Sequence, residues 1–262
     1  MTTAFNDSPH RTAKIGVVIP VRTEPSEQVI GVVREILEFV PTATIVIVDD
    51  SDEAHWRQFE SALSKAFPGS QVQLLHRSGD TRWGRLAGAV FDGFESLRKQ
   101  KVDLAGCIDG DGQHDPAALQ AMVHILTTTD ADVAVASRHS CDGSPGSGLS
   151  LFREAASRAC HLAARTLFPA RTRGCHDTMS GCFMVRLSCL DLDNTWVHRF
   201  KVLLQVLVQH PGLRIEEVGY TFRSRELGES HASVGEAKAY AHCLIKLFRL
   251  AYFPPARKLV KE

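Results

Sequence analysis

Two carboxylates separated by one residue follow an apolar run near the middle of the chain. Asp109 and Asp111 come directly after "LAGC" and Ile108, and Gln113 follows them within "IDGDGQHDP". Alternate residues at a strand end point to the same side, so both carboxylates can reach one cation. Carboxylate and amide oxygens suit Mg²⁺ or Mn²⁺, which typically also hold phosphates. The motif therefore predicts a metal and diphosphate site, although a solvated acidic turn has the same composition.

A second acidic pair closes another apolar run. Asp49 and Asp50 follow "IVIV" directly. In an open parallel sheet, ligands bind beyond the carboxyl ends of the strands. If both runs are strands of one parallel sheet, the two acidic pairs are expected at the edge where ligands bind.

Continuous apolar runs alternate with amphipathic segments through the first half of the chain. This pattern is typical of parallel strands covered by helices on both faces. We predict strands at 14–20, 43–50, 72–76, 102–109 and 131–137, and helices at 26–40, 53–67, 84–99 and 116–128. The expected fold class is α/β, with a mainly parallel central sheet sandwiched by helices.

The second half of the chain is less regular and richer in loops. It contains predicted helices at 151–168, 194–209 and 236–253 and a strand-like run at 213–222. Internal repeats and clear linkers are absent from the sequence, so we predict a single domain at 14–253. Its halves are 14–137 and 138–253, and it lies between a polar N-terminal tail at 1–13 and a basic C-terminal tail at 254–262.

Charge and cysteine usage narrow the class of function. Lys plus Arg and Asp plus Glu number 30 each, so no global charge favours nucleic acid, and any polyanion site must be a local cluster. Seven cysteines without a C-x-x-C pair favour a reducing compartment and disfavour a zinc site. The start lacks a signal-peptide core, and no run reaches the roughly 18 apolar residues of a spanning helix. We therefore predict a cytoplasmic protein that at most lies peripherally on the cytoplasmic face of a membrane.

The order of the short motifs resembles a known family. From about Lys14 to Leu250 the chain contains "VVIP", "IVIVDDS", "IDGDGQHDP", "ASR", "FREAASR", "DTMSGCFMVR", "RFKVLLQVL" and "RELGES". This order resembles the family 2 glycosyltransferases of GT-A fold, most of all the dolichyl- or polyprenyl-phosphate mannose synthase group. The resemblance implies a metal-dependent inverting transfer from a nucleotide-sugar, GDP-mannose or a UDP-sugar, to a polyprenyl phosphate. The first half would bind the donor and the second half, rich in loops, the acceptor.

On the donor side, the resemblance implies contacts to the nucleotide-sugar and to a Mg²⁺ or Mn²⁺ ion. The nucleotide-sugar contacts are Pro20, Glu24, Asp50, Asp109, Asp111 and Gln113, of which the last three also bind the metal. Asp111 is expected to be essential for catalysis. Val21 and Arg22 depart from the family's usual first loop.

On the acceptor side, the resemblance implies roles in catalysis or phosphate binding for Arg138, Arg153 and Arg225. It also implies acceptor contacts from Ser180, Ser230 and His231. The arginines make sense from the residues alone, because two phosphorylated substrates at one metal require several positive groups, and guanidinium donors suit phosphate oxygens. His231 stands where the family usually has lysine, so a permanent charge becomes a titratable one.

The chemistry of the acceptor decides whether a base is needed. A sugar hydroxyl must lose a proton, whereas a lipid phosphate, with a second pKa of about 6, is already anionic at neutral pH. Asp177 and His176 are the candidate bases for a hydroxyl acceptor. Two alternatives therefore stay open: a GT-A glycosyltransferase acting on a saccharide or small-molecule hydroxyl, and a non-catalytic nucleotide-sugar-binding subunit.

The last predicted helix has an apolar stripe at helical spacing. The stripe consists of Tyr240, Leu244, Leu247, Phe248 and Tyr252. A helix docked on the core and a helix lying on a membrane surface share this pattern. The docked helix is the more frequent case, and a lipid acceptor would raise the chance of a membrane-surface helix, with attachment either peripheral or through a membrane partner protein.

Overall fold

The computed structural model describes residues 13–140, 143–144, 151–199, 201–223 and 234–253. The strands are β1 (Ile15–Val21), β2 (Thr44–Asp49), β3 (Val72–His76), β4 (Leu104–Cys107), β5 (Val133–Ser137), β6 (Phe183–Arg186) and β7 (Ile215–Gly219). The helices are α1 (Ser26–Phe39), α2 (Glu53–Ala66), α3 (Arg85–Lys99), α4 (Ala117–Thr128), α5 (Leu151–Leu167), α6 (Val202–Gln209) and α7 (Val234–Tyr252).

The seven strands form one sheet in the order β3-β2-β1-β4-β6-β5-β7. Strand β6 runs antiparallel to β4 and β5, and the other neighbouring strands are parallel. Val21 lies beside Asp49, and Val18 beside Cys107, so β1, β2 and β4 end at the same edge of the sheet. The predicted α/β fold with a mainly parallel central sheet is confirmed. Strands from both predicted halves of the chain belong to this sheet.

The sheet is buried on both faces because its strands alternate between two hydrophobic cores. Val17 and Ile19 belong to the core formed with α1, α2 and α4, whereas Val18 belongs to the core formed with α3 and α6. A third cluster joins α5, α6 and α7 around Phe168 and Trp196. Each fully buried aliphatic side chain stabilises the fold by about 1.5–3 kcal/mol. The cores therefore hold the strand ends, and the residues that follow them, in fixed positions.

One predicted helix is shorter than expected. The sequence predicts a helix over 194–209, but α6 begins only at Val202. Arg199 and Lys201, just before it, have left-handed backbone conformations with φ of 32° and 64°. An α-helix cannot continue through such residues, so the helix prediction is wrong for residues 194–199 and 201.

Two glutamine side chains of α6 explain this irregular segment. Gln205 accepts from the backbone N–H of His198 at 2.7 Å and donates to its carbonyl at 2.9 Å. Gln209 makes the same pair of bonds with Trp196, both at 2.8 Å. These amides satisfy backbone groups that a helix would otherwise pair. The segment is therefore held against α6 instead of extending it.

The C-terminal helix α7 docks on α5. The Tyr240 hydroxyl donates to the Cys160 carbonyl at 2.7 Å, and the Tyr252 hydroxyl donates to the Leu167 carbonyl at 2.9 Å. Leu247 is fully buried in the third cluster. Among the helices that the structure describes, none combines the length and apolarity needed to cross a membrane.

Candidate functional site

A cavity of about 360 Å³ lies at the carboxyl ends of β1 and β2. Three residues predicted on the donor side line it: Pro20, Glu24 and Asp50. Four arginines line it as well: Arg22, Arg82, Arg85 and Arg199. An excess of guanidinium groups over carboxylates suits this first cavity to an anionic ligand.

The carboxylate of Asp50 is fixed by a buried arginine, Arg77. Arg77 donates from Nε and Nη2 to the two oxygens of Asp50, both at 2.7 Å, and from Nη1 to Asp92 at 3.0 Å. Burial lowers the pKa of Arg77, but the hydrogen bonds to Asp50 and Asp92 outweigh burial and raise that pKa above its ordinary value. The bidentate bonds from Arg77 therefore fix the orientation of the Asp50 carboxylate at the cavity wall.

Asp49 and the loop after β1 support the wall of the first cavity. Oε2 of Glu24 accepts from the backbone N–H groups of Arg22 at 2.6 Å and Thr23 at 3.0 Å, which closes the loop on itself. Asp49 is fully buried and accepts from the backbone and hydroxyl of Ser51 at 2.8 and 2.7 Å. Asp49 thus has a structural role, whereas Asp50 faces the first cavity.

A second cavity, of about 180 Å³, adjoins the first, since Leu86 lines both. Its wall includes three predicted residues, Asp109, Arg138 and Ser180. The structure therefore brings a predicted metal ligand together with two predicted acceptor residues. Lys201 and Phe222, which the sequence analysis did not select, also line this second cavity.

Asp109 is supported by a chain of two hydrogen-bonded side chains. Nε2 of His114 lies 3.3 Å from Oδ2 of Asp109, and the hydroxyl of Tyr220 lies 2.9 Å from Nδ1 of His114. In the His114 tautomer with the proton on Nε2, Nε2 donates to Asp109 and Nδ1 accepts from the Tyr220 hydroxyl. Gly181 packs closely on the same carboxylate, since a Cβ atom there would lie 2.6 Å from Oδ2.

Asp111 lies in the turn after Asp109 and is nearly buried, at 9% exposure. Its Oδ1 accepts from the backbone N–H of Gln113 at 3.1 Å. Gln113 is tied in turn to Arg223, because its carbonyl accepts from the Arg223 N–H at 2.8 Å and its side chain donates to the Arg223 carbonyl at 3.4 Å. These bonds fix Asp111 and Gln113 in the turn that follows Asp109, but neither residue is among those that line the two cavities.

The chemistry of these residues fits a hard divalent cation. Asp109 and Asp111 offer carboxylate oxygens, and the Asp109 side chain is 36% exposed at the second cavity. Within the described ranges, no group of three or more His, Cys, Asp or Glu side chains is arranged to hold a metal ion. A cation here would take its remaining ligands from water and substrate phosphates, as Mg²⁺ commonly does.

Arg138 and Asp177 form a buried pair beside the second cavity. Arg138 donates from Nε and Nη2 to the two carboxylate oxygens of Asp177 at 2.7 and 2.9 Å, and Phe222 stacks on the guanidinium at 5.5 Å. Burial raises the pKa of Asp177, but the hydrogen bonds and charge of Arg138 outweigh it and lower that pKa below its ordinary value. The pair therefore consists of an ionised carboxylate and a guanidinium with a fixed orientation.

Ser180 and His176 are engaged in the scaffold. The Ser180 hydroxyl donates to the carbonyl of Ala136 at 2.7 Å and accepts from the Cys182 N–H at 3.2 Å, which joins the end of β5 to the start of β6. His176 bonds Glu217 through its backbone N–H at 2.6 Å and through Nδ1 at 2.8 Å. Ser180 thus shapes the cavity wall, and His176 lies at the surface beside β7 with 56% of its side chain exposed.

Four predicted residues cannot be located in this way. Arg225, Ser230 and His231 lie outside the described residues, and Arg153 belongs to α5 but its side chain is outside the described part. Their roles stay predictions.

Among the residues that face or support the two cavities, sequence analysis did not select Arg77, His114, Arg199 or Lys201. His114 had a signal, since it follows the acidic motif directly, and Arg77 had one, since it follows the predicted strand at 72–76. Arg199 and Lys201 had one as well, since they belong to the motif "RFKVLLQVL", but the apolar spacing of 194–209 favours a helix and gave no reason to select them.

The sequence of this chain is similar to a known protein family and to several named proteins. The model of the family described as Glycosyl transferase family 2 matches residues 16–192, more than half of the chain. An undecaprenyl-phosphate mannosyltransferase from Micrococcus luteus is 31% identical over 208 residues, which cover 76% of this chain and 80% of that protein. A dolichol-phosphate mannosyltransferase from Pyrococcus furiosus is 26% identical over 219 residues, which cover 83% of this chain and 58% of that protein. This chain thus spans little more than half the length of the Pyrococcus relative.

Solved structures resemble this chain at much lower sequence identity. Glucosyl-3-phosphoglycerate synthase from Mycobacterium tuberculosis, in complex with Mn²⁺, UDP-glucose and glycerol 3-phosphate, matches with a TM-score of 0.61 at 15% identity. The match covers 93% of this chain and 82% of that chain. This similarity confirms the predicted GT-A fold.

Proposed function

This chain belongs to glycosyl transferase family 2, and we propose that it transfers a sugar from a nucleotide-sugar to the phosphate of a polyprenyl phosphate. The observation that carries this proposal is the Arg138–Asp177 pair beside Asp109 at the second cavity. A fixed guanidinium suits an acceptor that is already an anion. The names of the Micrococcus and Pyrococcus relatives support the same acceptor class.

The donor occupies the first cavity in this proposal. Its nucleoside would contact Pro20, Glu24 and Asp50, and its diphosphate would extend toward the second cavity past Leu86. The arginines that line the first cavity supply charge for the diphosphate. GDP-mannose is the first donor to test because the two relatives are named mannosyltransferases, and a UDP-sugar is the alternative.

A divalent cation, Mg²⁺ or Mn²⁺, would be held by Asp109, Asp111 and Gln113. When bound, it would neutralise charge on the departing nucleoside diphosphate. Mn²⁺ accompanies UDP-glucose in the Mycobacterium tuberculosis structure, which supports a divalent ion in this fold. His114 and Tyr220 would keep the Asp109 carboxylate oriented toward the ligand through their hydrogen bonds.

The transfer needs no protein base if the nucleophile is a phosphate dianion. One acceptor phosphate oxygen forms a bond to the anomeric carbon while the bond from that carbon to the donor diphosphate breaks. The electron pair of the broken bond leaves with the nucleoside diphosphate, and attack from the opposite face inverts the configuration. Arg138 would orient the acceptor phosphate, and Asp177 would hold Arg138.

The lipid part of the acceptor implies contact with a membrane surface. On α7, Phe248 and Tyr252 are 38% and 46% exposed, and Arg249 lies between them; Phe253, directly after the helix, is 71% exposed. Aromatic side chains beside cationic ones suit the interface of an anionic membrane. We include peripheral attachment at the cytoplasmic face in the proposal, with a membrane partner protein as the alternative means.

A panel assay tests the function. The protein is incubated with GDP-mannose or UDP-glucose, with Mg²⁺ or Mn²⁺, and with undecaprenyl phosphate. The lipid products are then identified by mass spectrometry. Undecaprenol, which has a hydroxyl in place of the phosphate, is the matched control acceptor. We expect a glycosylated lipid from the phosphate alone. Transfer to undecaprenol would favour a hydroxyl acceptor, and nucleotide binding without any transfer would favour a non-catalytic subunit.

A further inference from the structure

Two cations that flank residue 200 reach different cavities. Arg199 lines the first cavity and Lys201 the second, although only one residue separates them. Both have left-handed backbone conformations, with φ of 32° and 64°. For a residue other than glycine this conformation is costly and concentrates at functional sites. The divergence of these two side chains therefore requires a physical explanation.

The surrounding packing holds the two residues in place. The Arg199 carbonyl accepts from the backbone N–H of Ala87 at 3.1 Å, which joins Arg199 to the start of α3. The Lys201 carbonyl accepts from the backbone N–H of Gln205 at 3.2 Å, and α6 begins at the next residue. The bonds from Gln205 and Gln209 to the preceding segment prevent it from becoming helical. Arg199 and Lys201 therefore keep their left-handed conformations.

Arg199 has hydrogen-bonding capacity that the described protein does not use. Its Nε is buried, and no acceptor lies within hydrogen-bond distance among the residues that the structure describes. A buried donor without a partner destabilises a fold, so such atoms commonly mark a place where a ligand or ion completes the bonding. Arg82 and Arg85 line the same cavity, which makes an anion the fitting ligand.

Lys201 brings a second cation to the wall that carries Arg138 and Asp109. Burial lowers the pKa of Lys201 below the ordinary value of lysine, and the nearby charge of Arg138 acts in the same direction. Guanidinium and ammonium groups both donate charge-assisted hydrogen bonds to phosphate oxygens, so a cavity lined by Arg138 and Lys201 offers donors of both kinds. The second cavity therefore suits a phosphate bound by both Arg138 and Lys201.

We propose that Arg199 and Lys201 form a two-sided phosphate clamp, in which Arg199 binds the donor diphosphate and Lys201 binds the acceptor phosphate. The inference rests on the proposed function and deepens it by assigning one cation to each substrate. Two anionic substrates repel each other as they approach, and two cations so close in the chain would offset this repulsion and set the distance between the phosphates.

Two neutral variants test the clamp. Asparagine tolerates the left-handed conformation, so Arg199→Asn and Lys201→Asn remove the charge and keep the backbone. Lys101→Asn is the matched control, because Lys101 is an exposed lysine with φ of 58°. Binding of GDP and UDP probes the donor side by calorimetry, and binding of farnesyl phosphate, a short polyprenyl phosphate, probes the acceptor side.

We expect each variant to weaken the binding of one probe and to leave the binding of the other unchanged. Arg199→Asn should weaken nucleoside diphosphate binding about tenfold or more and leave farnesyl phosphate binding unchanged, as the loss of a charge-assisted hydrogen bond predicts. Lys201→Asn should do the reverse, and Lys201→Arg should retain farnesyl phosphate binding. Lys101→Asn should change neither affinity.

Three results would overturn the clamp. The first is that neither variant changes either affinity, and the second is that each variant loses nucleotide and farnesyl phosphate affinity equally and unfolds at a lower temperature. The third is that the wild type binds neither probe. Because these are binding measurements, they do not depend on turnover. A wild type that binds both probes in the expected pattern but transfers no sugar would overturn the proposed function and leave the clamp intact.

Discussion

Both carboxylate oxygens of Asp177 are held by the guanidinium of Arg138, with Nε 2.7 Å from Oδ2 and Nη2 2.9 Å from Oδ1. The backbone N–H of Arg138 bonds Oδ2 as well, at 3.2 Å, and Asp177 is only 1% exposed. To accept a proton, Asp177 would have to give up bonds that stabilise its charged form, so the geometry favours a positioning role over that of a base.

Asp177→Asn is expected to impair acceptor binding more than the chemical step. The Asn amide can accept at only one atom, so one bond to Arg138 is lost and the guanidinium is less well oriented. We expect the KM for undecaprenyl phosphate to rise about tenfold, with a smaller fall in kcat. Initial rates against acceptor concentration at saturating donor measure this division.

Asp130→Asn serves as the control, because 93% of the Asp130 side chain is exposed. A large fall in kcat for Asp177→Asn at unchanged KM, with loss of the acid limb of the pH–rate profile, would identify Asp177 as a general base.

Gly181→Ala is expected to displace the Asp109 carboxylate. The added methyl would lie 2.6 Å from Oδ2 of Asp109 and 3.1 Å from Nε2 of His114, so these side chains must move. A displacement of about 1 Å in a catalytic group can cost roughly a hundredfold in rate. We expect a loss of this size in kcat/KM with an unfolding temperature close to that of the wild type.

Gly31→Ala is the matched control for this substitution, because a Cβ at Gly31, within α1, meets no atom within 4 Å. It should increase stability by about 0.5–1 kcal/mol and leave the rate unchanged. Wild-type activity in Gly181→Ala would show that the position of Asp109 does not limit the reaction.

Arg77→Met is expected to destabilise the fold and weaken nucleotide binding. The substitution leaves Asp50 and Asp92 without their partner, and breaking a buried ion pair costs about 3–5 kcal/mol. Urea unfolding gives the stability change, and UDP and GDP titrations give the affinity change. Arg57→Met is the control, because Arg57 makes an exposed pair with Glu53 worth less than about 0.5 kcal/mol. Equal losses in the two variants would contradict the role of Arg77.

Removal of divalent metal is expected to abolish transfer and to weaken nucleotide binding. EDTA should have both effects on the wild type, and added Mg²⁺ or Mn²⁺ should reverse them. In Asp111→Ala and Asp109→Asn, GDP and UDP affinity should become insensitive to the cation. Asp130→Asn should retain the wild-type response. Wild-type nucleotide affinity that is the same with and without EDTA would rule out the metal assignment.

The stabilisation from Asp132 is expected to depend on pH. Hydrogen bonds from Arg214 lower the pKa of Asp132 against the opposing effect of burial. A folded pKa below the unfolded value of about 3.9 means that this stabilisation is fully present above that value and is lost as pH falls through the folded pKa. The difference in urea midpoint between wild type and Asp132→Asn should therefore be present at neutral pH and shrink below pH of about 4. A difference that stays constant across this range would contradict the assignment.

The sequence by itself determined the parallel strands that carry the acidic motifs, whereas the antiparallel strand β6 and the order of the strands were not predicted. Strands β1, β2 and β4 could be predicted because each is a continuous apolar run, a local property that reflects burial on both faces. Residues that directly follow parallel strands share one edge of the sheet, so Asp50 and Asp109 could be expected to face ligands before any contact was known.

Tertiary structure alone decided which side chains fix these motifs. Arg77 bonds Asp50 across 27 positions, Arg138 bonds Asp177 across 39, and Tyr220 bonds His114 across 106. Local sequence patterns do not indicate these pairings, because the pairings depend on how distant segments of the chain pack.

The segment before α6 is a second case in which local sequence patterns fail to predict the structure. Its apolar spacing favours a helix, and side-chain amides of α6 overrule that preference by bonding the backbone of Trp196 and His198. These side-chain bonds to the backbone keep α6 from beginning before Val202. Arg199 and Lys201 therefore lie outside the helix and reach the two cavities.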